Sequence, residues 1–194
     1  MTVMAERTSR MTVEEFERLA STAPETVTLE FIDGRIGEKA VPDGDHETII
    51  FWLLRQCMQS RSELDLHTSQ GLKVGSYRKG RARPDGSLAP VAHFAGQGEW
   101  AEPDGVLMTV EVTSYDSDTD RRDRREKPAA YAAADIPVYL LIDRDRCQVV
   151  VHTNPDPHTS RYRDLHTASL GEWVELPEPV GISLDTEALK KYVR

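Results

Sequence analysis

Hydrophobic residues recur along this chain with two different periods, and the change between the periods predicts the order of its elements. Apolar side chains return every three or four residues in Met11–Ala20, His46–Ser60 and Leu184–Tyr192, which is typical of amphipathic helices. Short apolar or alternating runs, typical of strands, occur at Val27–Ile32, Arg35–Ala40, Leu64–Thr68, Gly71–Val74, Ser87–Ala89, Val106–Val112, Val138–Ile142, Cys147–His152, Tyr162–Thr167 and Trp173–Leu176. This order predicts a mixed α/β or α+β layer fold.

The stretch from Pro103 to Asp143 joins two apolar runs through a charged segment that becomes helical. Strand, helix and strand in this order predict a right-handed parallel crossover. Pro128 is compatible only with the first turn of a helix, so we expect the regular helix to begin near Arg125 or later, with Asp123 at its entry.

Glu111 lies inside the first of these apolar runs, where an unpaired buried charge is very costly. Downstream, Asp123, Lys127 and Tyr131 recur every four residues, so they share one face of a helix. An acid on a strand with a lysine on the next helix indicates a site. The alternative is structural, with Glu111 and Lys127 forming a buried ion pair and Asp123 pairing with Lys127.

Length and composition place the chain among ordinary globular proteins. A chain of 194 residues, 39% apolar and 29% charged, predicts one domain, residues 11–194, after a disordered tail of residues 1–10. No apolar run approaches the roughly 20 residues that span a bilayer. Because Cys57 and Cys147 are unclustered, we interpret them as reduced thiols and expect a cytoplasmic protein.

The net charge of −9 argues against a broad, nonspecific grip on nucleic acid, which relies on many contacts between cations and phosphates. Two local basic clusters nevertheless lie next to candidate acids. They are either solvated surface or phosphate contacts, and the candidates are Arg81, Arg83, Arg121 and Arg124.

The motifs of several enzyme classes are missing: there is no Gly-rich phosphate loop, no Gly-x-Ser-x-Gly elbow and no paired-histidine helix. Carboxylates and lysine remain. If their strands are neighbours, Asp85 and Glu111 converge, and one or two carboxylates are what Mg²⁺ prefers. A nearby lysine, such as Lys127, orients water or stabilises developing charge. The alternative makes Asp85 a turn residue and Lys127 a solvated one.

These residues carry a resemblance to a known family. The chain resembles the Uma2 family, also called DUF820, which is similar to the PD-(D/E)XK nucleases. The matching residues, in order, are Glu30-Phe-Ile-Asp-Gly34, His46, Arg83-Pro-Asp85, Val110-Glu-Val112 with Ser114, Asp123, Lys127, Tyr131, Pro137, Tyr139 and Asp143. The resemblance covers residues 12–190 and implies a restriction-endonuclease-like fold, with a mixed central sheet flanked by helices.

The resemblance also implies roles for single residues. Asp85, Glu111 and the carbonyl of Val112 would hold Mg²⁺ or Mn²⁺. The usual nuclease pattern has lysine two residues after the second acid, but Thr113 is there, and the matching lysine is Lys127. Secondary candidates are Glu30, His46, Glu47, Asp123 and Tyr131. The alternative role for Glu47 is to complement a helix dipole. The alternative role for Tyr131 is to pack under Lys127.

The sequence therefore predicts a Mg²⁺-dependent endonuclease-like hydrolase that cleaves phosphodiester bonds of nucleic acid, with DNA as the expected partner. The alternative is a noncatalytic module of the same fold that binds nucleic acid or a protein. Apolar edge strands need cover, which favours a homodimer, and no membrane partner is expected.

Overall fold

A computed structural model of the protein describes residues 11–75, 79–115 and 121–193. The tail predicted for residues 1–10 lies outside this part of the chain. The helices are α1 (Val13–Thr22), α2 (Gly44–Ser60) and α3 (Lys127–Ala133), together with a π-helical turn at Arg122–Glu126 and a 3-10 helix at Thr186–Tyr192. The strands are β1 (Thr28–Ile32), β2 (Arg35–Lys39), β3 (Leu64–His67), β4 (Gly71–Val74), β5 (Gly80–Ala82), β6 (Gly86–Pro90), β7 (Trp100–Ala101), β8 (Met108–Val112), β9 (Val138–Asp143), β10 (Gln148–Asp156), β11 (Arg161–Ser169), β12 (Trp173–Leu176) and β13 (Ile182–Asp185).

Two sheets and a hairpin contain these strands. The six-stranded sheet has the order β11-β10-β9-β8-β6-β3, and the five-stranded sheet has the order β2-β1-β5-β4-β7. In the larger sheet, β8 and β9 are parallel, as the strand–helix–strand segment predicts, and the other pairs are antiparallel. Strands β12 and β13 form the separate hairpin. The mixed α+β fold predicted from the sequence is confirmed.

Strand β8 is buried on both faces because a different helix covers each one. Met108, Val110 and Val112 pack in one cluster with Ile49 and Leu53 of α2. The opposite face of the sheet meets α3, where Tyr131 packs with Tyr139 and Leu141 of β9. Because side chains alternate along a strand, Glu111 lies on the α3 face.

One hairpin turn and one helix boundary show where local signals succeed and fail. The predicted hairpin at Asp33-Gly34 joins β1 and β2, and both residues have positive φ, 49° and 76°, as this kind of turn requires. The helix predicted for Leu184–Tyr192 is wrong at its start. Leu184 and Asp185 end strand β13, because Leu184 pairs with Val174 of β12 and is buried with it.

No helix in the described ranges is both long enough and apolar enough to cross a membrane. The homodimer and the cytoplasmic location stay predictions.

The outer strands of the large sheet also hold a half-buried histidine. His152 lies between the rings of Tyr139 and Tyr162, with centroid distances of 5.2 and 5.7 Å. Burial lowers the pKa of His152 to about 4. In the unfolded chain the pKa is close to 6.5, so between these values the unfolded state binds one more proton than the folded state.

We therefore expect the free energy of unfolding to fall as the pH is lowered from 6.5 to 4, with His152 contributing about 2–3 kcal/mol of this loss. Urea denaturation of the wild type and His152→Phe across this range gives the free energy of unfolding at each pH. The difference between the two proteins in the slope of this free energy against pH measures the contribution of His152. His166→Phe, at an exposed position of the neighbouring strand β11, is the matched control. Equal slopes for all three proteins would contradict the prediction.

Candidate active site

The two candidate metal-binding acids are cross-strand neighbours. Strands β6 and β8 pair antiparallel with Gly86 opposite Val110, so Asp85, the residue before Gly86, falls opposite Glu111, the residue after Val110. Both side chains are nearly inaccessible, with exposed fractions of 5% and 2%. The adjacency on which the sequence argument depended is therefore present, and it puts two carboxylates at one place in the interior.

Asp85 is held from two directions. Its Oδ2 accepts a hydrogen bond of 2.8 Å from the backbone N–H of Val112 and lies 3.0 Å from Nε2 of His46. His46 reaches it from the first turn of α2, whose N-cap is Asp43. His46 is buried at 5% exposure, whereas its neighbour Glu47 is exposed on the same helix turn and does not join the cluster.

Glu111 is held by the first turns of α3. Lys127 donates a 2.7 Å hydrogen bond to Oε2 and the hydroxyl of Tyr131 donates one of 2.7 Å to Oε1. Lys127 also lies 3.1 Å from Oδ1 of Asp123, and the carbonyl of Asp123 accepts a hydrogen bond from Tyr139. The residues spaced by four thus meet on the face that covers Glu111, and Tyr131 contacts the acid directly as well as packing against Tyr139 of β9.

A change of helix type brings Lys127 to this position. Residues Arg122–Glu126 form the π-helical turn, in which the N–H of Lys127 bonds the carbonyl of Arg122. Lys127 then opens α3 with Pro128 in the first turn, where the missing proline N–H is not needed. The regular helix begins within the expected region, and Lys127 projects from its first turn.

Lys39, at the end of β2, belongs to the site although sequence reasoning did not select it. Its Nζ lies 2.7 Å from Oδ1 of Asp85 and 4.0 Å from Oε2 of Glu111, and it donates a hydrogen bond to the carbonyl of Arg83. The ammonium group therefore lies between the two acids. Its only signal in the sequence is that Arg35, Gly37 and Lys39 alternate on one face of β2, which does not reveal which face is buried.

Glu30 connects the site to the smaller sheet. Its Oε1 accepts a 2.7 Å hydrogen bond from the N–H of Arg83, and its Oε2 pairs with Arg122 and lies 3.7 Å from Nζ of Lys127. Arg122, a second residue that the sequence did not single out, also donates to the carbonyl of Glu38. Glu30 thus stabilises the cations around Glu111 from β1.

Thr113 occupies the position where the usual nuclease pattern has lysine. It is fully buried, and its hydroxyl accepts a 2.8 Å hydrogen bond from the N–H of Arg144. The residue therefore fixes the chain after β9, and the cations beside the two acids are Lys127 and Lys39.

The four arginines predicted as phosphate contacts do not converge. Arg81 is buried against Glu17, at 2.6 Å. Arg124 makes two 2.8 Å bonds to Asp143. The remaining two are Arg121, 3.4 Å from Glu126, and Arg83, which pairs with Glu99 and lies 4.4 Å above the ring of Trp100.

Of these four, Arg83 lines a groove of about 480 Å³ that reaches the site on the side of Lys39. Asp85 and Glu111 do not themselves line this groove, and Lys39 is the residue of the site that does. Arg81 and Arg124 do not line this groove, because each of them pairs with an acid elsewhere.

The surroundings shift the pKa values of the two acids in opposite directions. Burial raises the pKa of Glu111, although Lys127 and Lys39 oppose the rise. Burial also acts against ionisation of Asp85, but Lys39 and the hydrogen bond with His46 outweigh it and lower the pKa of Asp85. Likewise, Asp123 and Glu111 outweigh the burial of Lys127 and raise its pKa. Paired acids with separated pKa values are typical of catalytic sites.

The donor set suits a hard divalent cation. The described residues contain no group of three or more His, Cys, Asp and Glu side chains that could hold a metal ion, which argues against an all-protein cage. Mg²⁺ needs only one or two carboxylates, because water and substrate phosphate complete its shell. Asp85 and Glu111 already enclose the cationic Nζ of Lys39, so their charge fits Mg²⁺ or Mn²⁺.

Gly37 is required where β2 passes over Arg122. A Cβ atom at this position would lie 2.6 Å from the guanidinium carbon of Arg122, which is too close for a real contact. We expect Gly37→Ala to displace Arg122 from Glu30 and to lower the free energy of unfolding by about 1–3 kcal/mol. Chemical denaturation measures the change. Gly44→Ala, where a Cβ meets nothing within 4 Å, is the control, and equal stability of both variants would contradict the prediction.

Comparisons with known proteins bear on the family and the fold of the chain. The model of the Uma2 family, described as "Putative restriction endonuclease", matches residues 13–187. The chain is similar in structure to "a putative nuclease belonging to DUF820 from Anabaena variabilis", with a TM-score of 0.71, 17% sequence identity, and coverage of 94% of this chain and 98% of that chain. No curated protein matches. The structural likeness shows the shared fold, and the family match extends over most of the sequence: the chain belongs to the Uma2 family.

Proposed function

We propose that the protein is a Mg²⁺-dependent endonuclease-like hydrolase of phosphodiester bonds in nucleic acid, with DNA as its substrate. The observation that carries this proposal is the convergence of Asp85 and Glu111 on one buried position with lysine on both sides. The family description, "Putative restriction endonuclease", and the name of the structural neighbour, "a putative nuclease", support the same reaction class.

Each side chain has a role that follows from its contacts. Asp85 and Glu111, with the carbonyl of Val112, would hold the ion, which when bound acidifies water and shields the phosphate. Lys127, hydrogen-bonded to Glu111, positions the attacking water. Tyr131 fixes the other oxygen of Glu111, and His46 orients Asp85.

The charge distribution favours a few defined phosphate contacts over a wide basic surface. With a net charge of −9, the protein lacks the excess of cations that holds nucleic acid nonspecifically. Arg83, stacked over Trp100, is the arginine of the groove and its best placed phosphate ligand. We therefore expect binding that depends on divalent ions and on the local structure of the substrate.

One observation favours a second candidate, a noncatalytic module of the same fold. Every carboxylate oxygen of Asp85 and Glu111 already has a protein partner within 3.0 Å. A pair of acids neutralised in this way would also serve as a purely structural ion network in a protein that binds without cutting.

Cleavage assays separate the two candidates. Purified protein with Mg²⁺ or Mn²⁺ is incubated with duplex DNA, single-stranded DNA and RNA, alongside Asp85→Ala and Lys127→Ala. We expect metal-dependent cleavage of DNA by the wild type, stopped by a chelator and lost in both variants. If no substrate is cut and calorimetry detects no binding at millimolar Mg²⁺, the noncatalytic module is the correct description.

A further inference from the structure

Lys39 differs from the other charged residues of the site in its access to solvent. Its side chain is 20% exposed, compared with 5% for Asp85, 2% for Glu111 and 4% for Lys127. It also lines the groove that Arg83 lines. Lys39 is therefore the member of the cluster that faces this groove.

The ammonium group of Lys39 occupies the region that a bound cation would need. It contacts Oδ1 of Asp85 at 2.7 Å and is 4.0 Å from Oε2 of Glu111. A divalent ion held by the same two carboxylates would be repelled by a positive charge at this distance. The ion and the ammonium group cannot both remain between the acids.

Lys127 is held too firmly to move away from the acids. It opens α3 beside Pro128 and is surrounded by Glu111, Asp123 and Glu30 at 2.7, 3.1 and 3.7 Å. Lys39, by contrast, ends a strand, and residues 40–43 after it are exposed. Its long side chain can swing toward the groove without disturbing a helix.

We propose that Lys39 is a built-in cation that keeps the two acids together without metal and moves into the groove when a divalent ion binds. There its charge joins that of Arg83 and faces the phosphate of the substrate. The inference rests on the proposed function, because it requires that Asp85 and Glu111 bind the ion. Binding of the metal ion would then also place Lys39 where it can contact a phosphate.

Amine labelling of the full-length protein tests the displacement without relying on activity. The wild type is acetylated briefly with and without saturating Mn²⁺, and each lysine is quantified by mass spectrometry. We expect Lys39 to be labelled at least fivefold faster with Mn²⁺, whereas Lys127 stays protected. Lys73, which pairs with Glu102 on the surface, serves as the internal control and should not change.

Calorimetry with Mn²⁺ on the same proteins adds a second measurement. Lys39→Met should bind Mn²⁺ at least tenfold more tightly than the wild type, because the competing cation is gone, and Lys73→Met should bind as the wild type does. If Mn²⁺ binds the wild type but Lys39 labelling does not change, displacement is refuted while the proposed function stands. If Mn²⁺ does not bind, both are refuted; if it binds and exposes Lys39 but no nucleic acid is cut, only the proposed hydrolase fails.

Discussion

Glu111→Gln is expected to reduce metal-dependent cleavage by about 10²–10³-fold or more, the loss that follows removal of one group stabilising a transition state. Glutamine has the shape of glutamate, and its amide oxygen can still accept one of the two hydrogen bonds that Lys127 and Tyr131 donate to Glu111. It lacks the negative charge that a divalent ion requires. The loss should therefore appear in the rate of the chemical step and in metal affinity, with the fold retained.

Single-turnover cleavage at saturating Mg²⁺, together with calorimetric titration of Mn²⁺, measures both effects. Glu102→Gln provides the matched control, because Glu102 is an exposed acid that pairs with Lys73 outside the site. Activity of Glu111→Gln within threefold of the control would exclude Glu111 as a metal ligand. Circular dichroism verifies that both variants are folded.

Lys127→Met is expected to have the largest effect on stability, lowering the free energy of unfolding by about 3–5 kcal/mol. The side chain of Lys127 is 4% exposed and lies within 4 Å of three acids, Glu111, Asp123 and Glu30. Methionine fills the space but leaves these carboxylates without their shared cation. An uncompensated buried charge is far more costly than the intact pair is stabilising.

Urea denaturation of Lys127→Met, Glu111→Gln and the double variant tests this explanation. Because the second substitution removes one unpaired charge, the double variant should be more stable than the sum of the two single losses predicts. Lys190→Met, which breaks an exposed pair with Glu187, should change stability by less than about 1 kcal/mol. Strict additivity, or a loss below 1 kcal/mol for Lys127→Met, would show that the network is not electrostatically coupled.

The main sheet and the helix beside it were predictable because their signals are local. Val106–Val112 and Val138–Ile142 are apolar enough to indicate buried strands, and the spacing of Asp123, Lys127 and Tyr131 indicates one helix face. Pro128 marks the start of the helix for a steric reason. These features depend on periodicity and on single-residue geometry, which a sequence states directly.

Lys39 and Arg122 could not be predicted in this way. Strand β2 is largely exposed, so it has no hydrophobic alternation to show that its last residue turns inward. Arg122 is one of several arginines in a short run, and the π-helical turn alters the spacing that would identify the inward one. Both residues enter the site through packing of the two sheets, a long-range event that local patterns do not record.

The junction of the two sheets has a consequence for how the protein folds. Glu30 and Lys39 come from one sheet, Glu111 comes from the other, and Asp85 lies between consecutive strands of the two. Contacts between residues so distant along the chain form slowly, because a long loop must close first. The charged centre should therefore assemble late, and a nascent or partly folded chain should be unable to cut nucleic acid.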